Sequence, residues 1–189
     1  MKRKAGATPG LRAGPHPWWR VQSHCWAVST FNQIEQGAVG NGGMEAHISI
    51  VEFDSPQHGK QVEALWRDVF AYDTPRNDPG VVIEKKCEVR DGLFFVAVTN
   101  GVVLGTIMAG YDGHRGWIYS MAVHPEHRHQ GIGARLLSFA EEKLVALGCV
   151  KINLQILGGN EEAQRFYEAN GYSVENRISM GKEIRENIS

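Results

Sequence analysis

The sequence predicts an α+β domain built on one mixed, mostly antiparallel sheet. Two hairpins are indicated in its middle, because apolar runs at residues 93–98, 102–109 and 117–123 are separated only by short loops that contain glycine. An amphipathic helix at about residues 129–147 then separates the third run from a fourth at residues 150–157. A helical crossover joins parallel strands, so we expect the last pair of strands to be parallel and the earlier pairs antiparallel.

One strand and two helices are predicted before the first hairpin. Residues 48–53 alternate between apolar and polar side chains, as a half-buried strand does. Ser55 is the expected N-cap of the next helix, with Pro56 at its first position. The apolar stripe of this helix repeats at helical spacing through Val62, Leu65, Trp66, Val69 and Phe70. A stretch rich in proline and aspartate at residues 72–79 ends the helix, and residues 80–89 are predicted as a short second helix.

Start and stop signals define the elements after the first hairpin. The Asn-Gly pair at residues 100–101 favours the tight turn of that hairpin. Gly148 has the position of a C′ glycine at the end of the long helix. Asn160 begins the last helix, where two glutamates in the first turn complement the helix dipole, and a second Asn-Gly pair at residues 170–171 ends it. A final strand is predicted at residues 172–180.

Composition narrows the class of protein. The 189 residues include 20 Lys and Arg against 21 Asp and Glu, which gives a net charge of −1. This balance gives no general support for binding nucleic acid or an anionic membrane. No apolar run approaches the length of a membrane span. The three cysteines are far apart and odd in number, which favours a reducing cytoplasm over a disulfide scaffold.

The first 43 residues differ in composition from the rest. They are rich in glycine, proline and alanine, show no apolar period, and end in Gly-Asn-Gly-Gly at residues 40–43. A secretory signal has a continuous apolar region followed by a small-residue cleavage site, and residues 1–43 contain no such pattern. We therefore expect residues 1–43 to be a disordered extension or the product of a misassigned start codon, and residues 44–189 to be a single domain.

The loop after the strand at residues 117–123 carries the most informative motif. Arg128, Gly131 and Gly133 form an Arg-x-x-Gly-x-Gly sequence that leads directly into the long helix. A helix start offers unpaired N–H groups and the positive end of the helix dipole, and glycine lets a bulky group come close to the backbone. The pattern predicts a seat for a phosphate or pyrophosphate. A helix start that merely needs flexible glycines is the simpler alternative.

Two related phosphate-binding motifs are excluded by the residues that follow. A nucleotide P-loop ends in Gly-Lys-Ser/Thr, whereas Gly133 is followed by Ala134 and Arg135. A dinucleotide fingerprint has a small residue three positions after its second glycine, where this chain has Leu136. What remains is a diphosphate site made of backbone amides, for which no metal ion is required.

A metal site is an alternative for this loop, because histidines cluster around it. His124, His127 and His129, with His114 as a fourth, are close enough in sequence to reach one ion. The same loop must expose its amides to phosphate, however, and no matching set of cysteines or carboxylates is evident. We therefore predict no metal.

Two signatures together resemble the GCN5-related N-acetyltransferases. The first comprises residues 118–125 and the Arg-x-x-Gly-x-Gly loop, and the second comprises residues 160–172. They occur in the order and at the distance typical of that family, and the resemblance spans residues 45–182. Within the family, the chain is most similar to small bacterial members related to ribosomal-protein alanine acetyltransferases. The resemblance implies a three-layer α/β/α fold around a twisted sheet, acetyl-coenzyme A as cosubstrate and an amine as acceptor.

The resemblance also implies roles for individual residues. The pantetheine arm of the coenzyme is expected to lie in a gap of the sheet beside the main chain of Met121, Ala122 and Val123. The pyrophosphate cradle is expected to consist of Arg128, His129, Gln130, Gly131, Ile132, Gly133 and Ala134. Tyr167 matches the general acid that protonates the leaving thiolate, and Asn160 matches a residue that hydrogen-bonds the cofactor arm. Each has a structural alternative: strand core for Met121 and Val123, a half-buried aromatic for Tyr167, and an N-cap for Asn160.

The general base is the point at which this chain departs from the family. The alanine acetyltransferases carry a glutamate five residues before the asparagine, and here that position is Gln155. Glutamine cannot accept the proton of an ammonium group, so Glu84, Tyr119, His124 or ordered water are the alternatives.

Three functions remain open from the sequence. The first is an N-acetyltransferase in which an amine attacks the thioester directly in a ternary complex. The second is a non-catalytic regulatory module that binds acyl-coenzyme A, and the third is an adaptor that uses Trp18, Trp19 and Trp26. A small amine or a protein N-terminus is the expected acceptor, and the chain is expected to be a monomer or a homodimer.

Overall fold

The computed structural model of the chain describes residues 47–70 and 77–184. The predicted extension at residues 1–43 and most of the predicted break at residues 72–79 lie outside the described residues. No helix in the described part is both long and apolar enough to cross a membrane. The described strands and α-helices are β1 (Ser49–Glu52), α1 (Ser55–Val69), α2 (Pro79–Val89), β2 (Phe94–Thr99), β3 (Val102–Tyr111), β4 (Arg115–Val123), α3 (Ile132–Ala146), β5 (Lys151–Asn153) and α4 (Glu161–Ala169).

The strands form one mixed sheet in the order β1-β2-β3-β4-β5. The first three pairs are antiparallel, and β4 and β5 are parallel. The predicted turn between β2 and β3 is confirmed, because Asn100 and Gly101 have φ angles of 49° and 79°, as a hairpin turn of this length requires. The parallel pair follows from α3, which crosses over between its two strands.

Helices cover the sheet on both faces, so the predicted three-layer α/β/α arrangement is confirmed. Neighbouring residues of β2 point to opposite faces, as in any strand. Phe95 packs in a cluster with Leu136, Leu137 and Leu144 of α3. Phe94 packs instead in a second cluster with the predicted stripe of α1, where Val62, Leu65 and Trp66 are buried, and with Ile83 of α2.

Several predicted boundaries differ from the structure, and three of them are informative. Ser55 is the first residue of α1 rather than its N-cap, which is Asp54. Helix α3 begins at Ile132 rather than near residue 129, because His129 and Gly131 have φ angles of 61° and 76° that a right-handed helix cannot contain. Strand β5 has three residues instead of the eight predicted at residues 150–157.

The strand predicted at residues 172–180 is wrong, since the structure has no strand there. This segment contacts the β5 region through side chains: Glu175 pairs with Lys151, and the Gln155 amide donates to Ser179 Oγ at 2.6 Å. After the partly buried Tyr172, its apolar side chains are exposed, with Ile178 at 91%. An antiparallel strand normally buries one of its faces. Apolar and polar residues alternate along this segment, but the alternation produces no buried face.

Gly105 has no side chain and so permits β3 and β4 to approach closely. A substitution at this position therefore tests the packing between the two strands. A Cβ at this position would lie 2.8 Å from the Ala122 carbonyl oxygen and 3.1 Å from Leu136 Cδ1. We expect Gly105→Ala to lower the free energy of unfolding by about 1–3 kcal/mol, because the backbone or the core must move. Gly181→Ala is the control, since nothing lies within 4 Å of its Cβ. Urea unfolding measures both, and equal stabilities of the two variants would contradict this packing.

Candidate functional site

Strands β4 and β5 pair over only three residues and then separate. The last pair is Trp117 with Asn153, and β4 continues to Val123. The Asn153 side chain donates to the Gly116 carbonyl at 3.5 Å beside this last pair. In the described part of the chain, no strand pairs with the remaining length of this edge of β4, so a gap opens there in the sheet.

Hydrogen bonds to β3 indicate that the main-chain groups of Val123 and the N–H of Met121 face away from β3, on the side where this gap opens. The His124 N–H donates to the Leu104 carbonyl on the β3 side at 2.8 Å, and successive residues of a strand alternate between its two edges. Val123 therefore points to the opposite, open edge. The Ser120 carbonyl accepts a hydrogen bond from Thr106 Oγ1 of β3 at 3.2 Å. Because the peptide unit is planar and trans, the Met121 N–H points away from β3 as well.

Helix α3 starts beside the gap without a side-chain cap. Its N-cap is Gly131, which has φ 76° and ψ 0° and makes no capping hydrogen bond. By contrast, the Asp78 side chain caps α2 and the Asn160 side chain caps α4. The first N–H groups of α3 have no partner within a helix, so they are available to an acceptor outside the protein chain.

A cleft of about 750 Å³ joins the open edge of β4, the start of α3 and one face of α4. Eleven of the twelve predicted site residues line it, namely Met121, Ala122, Val123, Arg128, His129, Gly131, Ile132, Gly133, Ala134, Asn160 and Tyr167. The twelfth, Gln130, is not among the lining residues, and its side-chain amide donates to the Glu126 carbonyl at 3.4 Å.

Several lining residues were not predicted. They are Val69, Phe70, His127, Glu162, Ala163, Arg165, Phe166 and Asn170. Those of α4 were accessible to sequence reasoning, because Ala163, Phe166, Tyr167 and Asn170 recur at helical spacing and share a face. The two residues at the end of α1 carry no such signal, since only the tertiary fold brings them to the cleft.

The charge of the cleft favours an anion. Among the described residues, its lining includes Arg128 and Arg165, with His127 and His129, and one carboxylate, that of Glu162. The Arg128 Nε donates to the Val123 carbonyl at 3.4 Å, which places the guanidinium beside the open end of β4. The uncapped start of α3 adds the positive end of the helix dipole.

Tyr167 places a hydroxyl group at the open edge of β4. Its Oη donates to Met121 Sδ at 3.4 Å, and its ring packs edge-on against Phe166 and Tyr172. A thioether sulfur is a weak acceptor, so this hydrogen bond holds the Tyr167 hydroxyl proton only weakly. Burial raises the pKa of Tyr167 to about 12. At neutral pH the group is therefore a protonated donor, as a general acid must be.

Tyr167 and Tyr172, which are partly buried, make the stability of the fold sensitive to alkali. Burial raises the pKa of Tyr167 to about 12, and burial with a hydrogen bond to Glu141 raises the pKa of Tyr172. A raised pKa in the folded state favours the neutral phenol, so its stabilisation is complete below the unfolded pKa of about 10 and is lost as the pH rises through the folded pKa. We expect urea unfolding between about pH 9 and pH 11 to show a smaller loss for Tyr167→Phe than for the unmodified chain. Identical pH dependence would contradict the burial of this hydroxyl.

Asn160 is an N-cap, and this does not exclude a second role. Its Oδ1 accepts the Ala163 N–H at 3.1 Å, which confirms the structural alternative from the sequence. The cap uses only the carbonyl end of the amide, while the Nδ2 group is a separate donor on a residue that lines the cleft.

The proposed bases do not meet at the cleft. Glu84 lies in a separate groove between α1 and α2, and Gln155 is exposed and bonded to Ser179. Neither His124 nor Tyr119 is among the described residues that line the cleft. Burial, with a smaller contribution from Asp112, raises the pKa of Tyr119, so the phenolate form that could act as a base is still rarer at neutral pH. Among the described residues, no group of three or more His, Cys, Asp or Glu side chains could hold a metal ion.

Solved structures with the same fold include enzymes that use coenzyme A. The aminoglycoside N-acetyltransferase AAC(6')-Iy, solved with coenzyme A, is 16% identical with a TM-score of 0.61, over 77% of this chain and 99% of that chain. Glucosamine-6-phosphate N-acetyltransferase from Arabidopsis thaliana is 19% identical with a TM-score of 0.56, over 74% and 99%. A transcriptional regulator from Bacillus halodurans C-125 is 23% identical with a TM-score of 0.59, over 73% and 100%. The model of the acetyltransferase (GNAT) family matches residues 59–172, more than half of the chain, and the chain therefore belongs to that family.

Proposed function

We propose that the protein is an N-acetyltransferase that moves the acetyl group of acetyl-coenzyme A to a primary amine by direct attack in a ternary complex. One observation carries this proposal: the open edge of β4, the uncapped start of α3 and the Tyr167 hydroxyl all meet in one cleft. The edge suits an extended amide-bearing arm, which pairs with main-chain groups as an added strand does. The helix start suits the diphosphate.

The residues of the cleft fit the coenzyme by shape as well as by charge. A Cβ at Gly133 would lie 3.1 Å from Met121 Cε and 3.3 Å from the Phe166 ring, so glycine keeps this part of the cleft open. Gly131 adopts a left-handed φ that other residues rarely take, which turns the loop into the first turn of α3. We assign the diphosphate to the main-chain N–H groups of Gly131, Ile132, Gly133 and Ala134, with the side chains of Arg128 and His129 beside them. Gln130 keeps its place in the loop through its bond to Glu126, and its main-chain N–H completes the set.

The chemical roles follow from what each group can donate or accept. Bound acetyl-coenzyme A supplies the thioester. The Met121 N–H, at the open edge, stabilises negative charge that develops on the thioester oxygen. Tyr167 gives its proton to the leaving thiolate. None of the candidate bases Glu84, Tyr119 and His124 lines the cleft, so we assign the removal of the proton from the attacking ammonium group to water.

The acceptor is proposed to be a small amine. Two of the solved structures with this fold are an aminoglycoside N-acetyltransferase and a glucosamine-6-phosphate N-acetyltransferase. The resemblance to ribosomal-protein alanine acetyltransferases makes a protein N-terminus the second acceptor to test. A reducing cytoplasm, suggested by the cysteines, is the compartment that we propose, with residues 44–189 as the catalytic domain.

A non-catalytic acyl-coenzyme A sensor is the competing proposal. It is favoured by Gln155 at the position of the family glutamate, and a transcriptional regulator is among the structures with this fold. Under this proposal the same cleft binds the coenzyme, and no amine is acetylated.

An acceptor screen distinguishes the two proposals. The full chain is incubated with acetyl-coenzyme A and panels of polyamines, amino sugars, amino acids and peptides, and free thiol is measured together with product mass. Calorimetry with acetyl-coenzyme A is run on the same preparation. Thiol release with a product heavier by one acetyl group supports the transferase, and saturable binding without turnover on any amine supports the sensor. No binding by the folded protein would reject both.

A further inference from the structure

A buried chain of hydrogen bonds runs from α1 through β3 to β4. Trp66 Nε1 donates to Thr106 Oγ1 at 2.8 Å, and Thr106 Oγ1 donates to the Ser120 carbonyl at 3.2 Å. Trp66 and Thr106 are both 0% exposed. A hydroxyl group has one proton to donate. Because the indole N–H is the donor of the first bond, the Thr106 proton is directed to Ser120.

The carbonyl at the end of this chain belongs to an irregular part of β4. The register of β3 against β4 shifts between Thr106 and Met108, and Ser120 has a φ angle of 41°. A non-glycine residue rarely takes such an angle without support from the surrounding structure. The Thr106 hydroxyl bonds the carbonyl of this residue, and so supplies that support from the neighbouring strand.

The direction of the Ser120 carbonyl determines the direction of the next N–H group. The two belong to one planar peptide unit and point in opposite directions. By holding the carbonyl toward β3, Thr106 aims the Met121 N–H into the gap between β4 and β5. The Tyr167 hydroxyl contacts the side chain of this same Met121.

We propose that Thr106 is a positioning residue for acetyl transfer, which orients the Met121 N–H toward the thioester oxygen through the Ser120 peptide. Trp66 fixes the donor direction of the Thr106 hydroxyl. The inference rests on the proposed transferase function and adds to it a residue that does not line the cleft. It also links the α1 helix to the reacting centre, because Trp66 lies one turn before the end of α1, where Val69 and Phe70 line the cleft.

The test replaces the hydroxyl while it retains the shape of the side chain. Thr106→Val removes the proton donor, Thr106→Ser retains it, and Thr99→Val is the matched control. Thr99 lies on β2 in the same sheet, and its buried Oγ1 has no hydrogen-bond partner among the described residues. Each variant is measured for kcat and KM with the best acceptor of the screen, for calorimetric binding of coenzyme A, and for the ¹⁵N chemical shift of the Met121 amide.

We expect Thr106→Val to lower kcat by about 10- to 100-fold, as a misdirected catalytic group does. Coenzyme A binding and the KM of acetyl-coenzyme A should stay within about threefold, since a purely oriented donor acts in the transition state. The ¹⁵N shift of Met121 should move, because it senses the hydrogen bond to the preceding carbonyl. Thr106→Ser should recover most of kcat, and Thr99→Val should match the unmodified protein in every readout.

Several results overturn the inference separately from the proposed function. If the unmodified protein turns over and folded Thr106→Val has the same kcat, the positioning role is rejected and the transferase stands. If the Met121 shift does not move in Thr106→Val, the contact itself is rejected, even in a protein without turnover. If Thr106→Val does not fold, Thr106→Cys is compared with Thr106→Ser: a lower kcat for the weaker thiol donor supports the role, and equal values reject it.

Discussion

Replacing Tyr167 with phenylalanine is expected to lower kcat by about 10²- to 10⁴-fold, which is the range that general acid catalysis contributes. The dissociation constant of acetyl-coenzyme A should change by no more than about twofold, because the ring and its packing are retained. The expectation follows from the Tyr167 hydroxyl, which belongs to a residue lining the cleft, has a thioether as its only hydrogen-bond partner among the described residues, and has a pKa raised to about 12 by burial. Steady-state kinetics and calorimetry measure the two quantities.

Tyr172→Phe is the matched control for this variant. Tyr172 is also a partly buried tyrosine with a raised pKa, and its ring contacts that of Tyr167. Its hydroxyl, however, donates to Glu141 at 2.7 Å, and it is not among the residues that line the cleft. Turnover by Tyr172→Phe should remain close to that of the unmodified protein. An equal loss in the two variants would indicate damage to packing, and full turnover by Tyr167→Phe would reject the acid role.

Replacing Gly133 with valine should weaken acetyl-coenzyme A binding by at least about 100-fold, equivalent to about 2.8 kcal/mol. A Cβ at this position already lies 3.1 Å from Met121 Cε and 3.3 Å from the Phe166 ring. Valine adds two further carbon atoms to the cleft, next to the N–H groups at the start of α3. The coenzyme must then lose its approach to the backbone or displace the neighbouring side chains. Calorimetric titration of the folded variant measures the effect.

Gly59→Val separates blockage of the cleft from the cost of a β-branched residue in a helix. Gly59 lies within α1, does not line the cleft, and its Cβ would meet only Ser55 Oγ at 3.5 Å. This variant places the same β-branched side chain in a helix away from the cleft, and it should bind the coenzyme normally. If Gly133→Val binds within about threefold of the unmodified protein, the coenzyme does not use the start of α3 in the proposed way.

The mixed sheet was predictable because its signals are local. An Asn-Gly turn and glycine-containing loops marked the two hairpins, and the periodicity of α3 implied the parallel crossover. The exact start of α3 was not predictable, because His129 adopts a positive φ that its residue type does not announce. The wrong strand at residues 172–180 shows the limit of alternation as a signal, since a pattern becomes a strand only where another element covers one of its faces.

The candidate site divides in the same way. Arg128, Gly131 and Gly133 were found because glycines before a helix have a direct chemical meaning. The irregularity at Ser120 was not found, because no glycine marks it and its support comes from Thr106, distant by 14 residues. Residues that join the cleft only when distant segments meet, such as Phe70 at the end of α1, have no sequence signal of their own.

The gap between β4 and β5 determines where the unpaired edge of β4 lies in the sheet. Unpaired strand edges are templates on which other polypeptides assemble. The open edge of β4 is instead an internal notch, with β5 paired beside its first three residues and the aromatic side chains of α4 packed near the rest. A flat strand of another chain cannot enter this notch, whereas a thin, flexible ligand can. The unpaired main-chain groups of β4 are thereby accessible to a narrow ligand, but they do not form an edge on which the strands of other chains could pair.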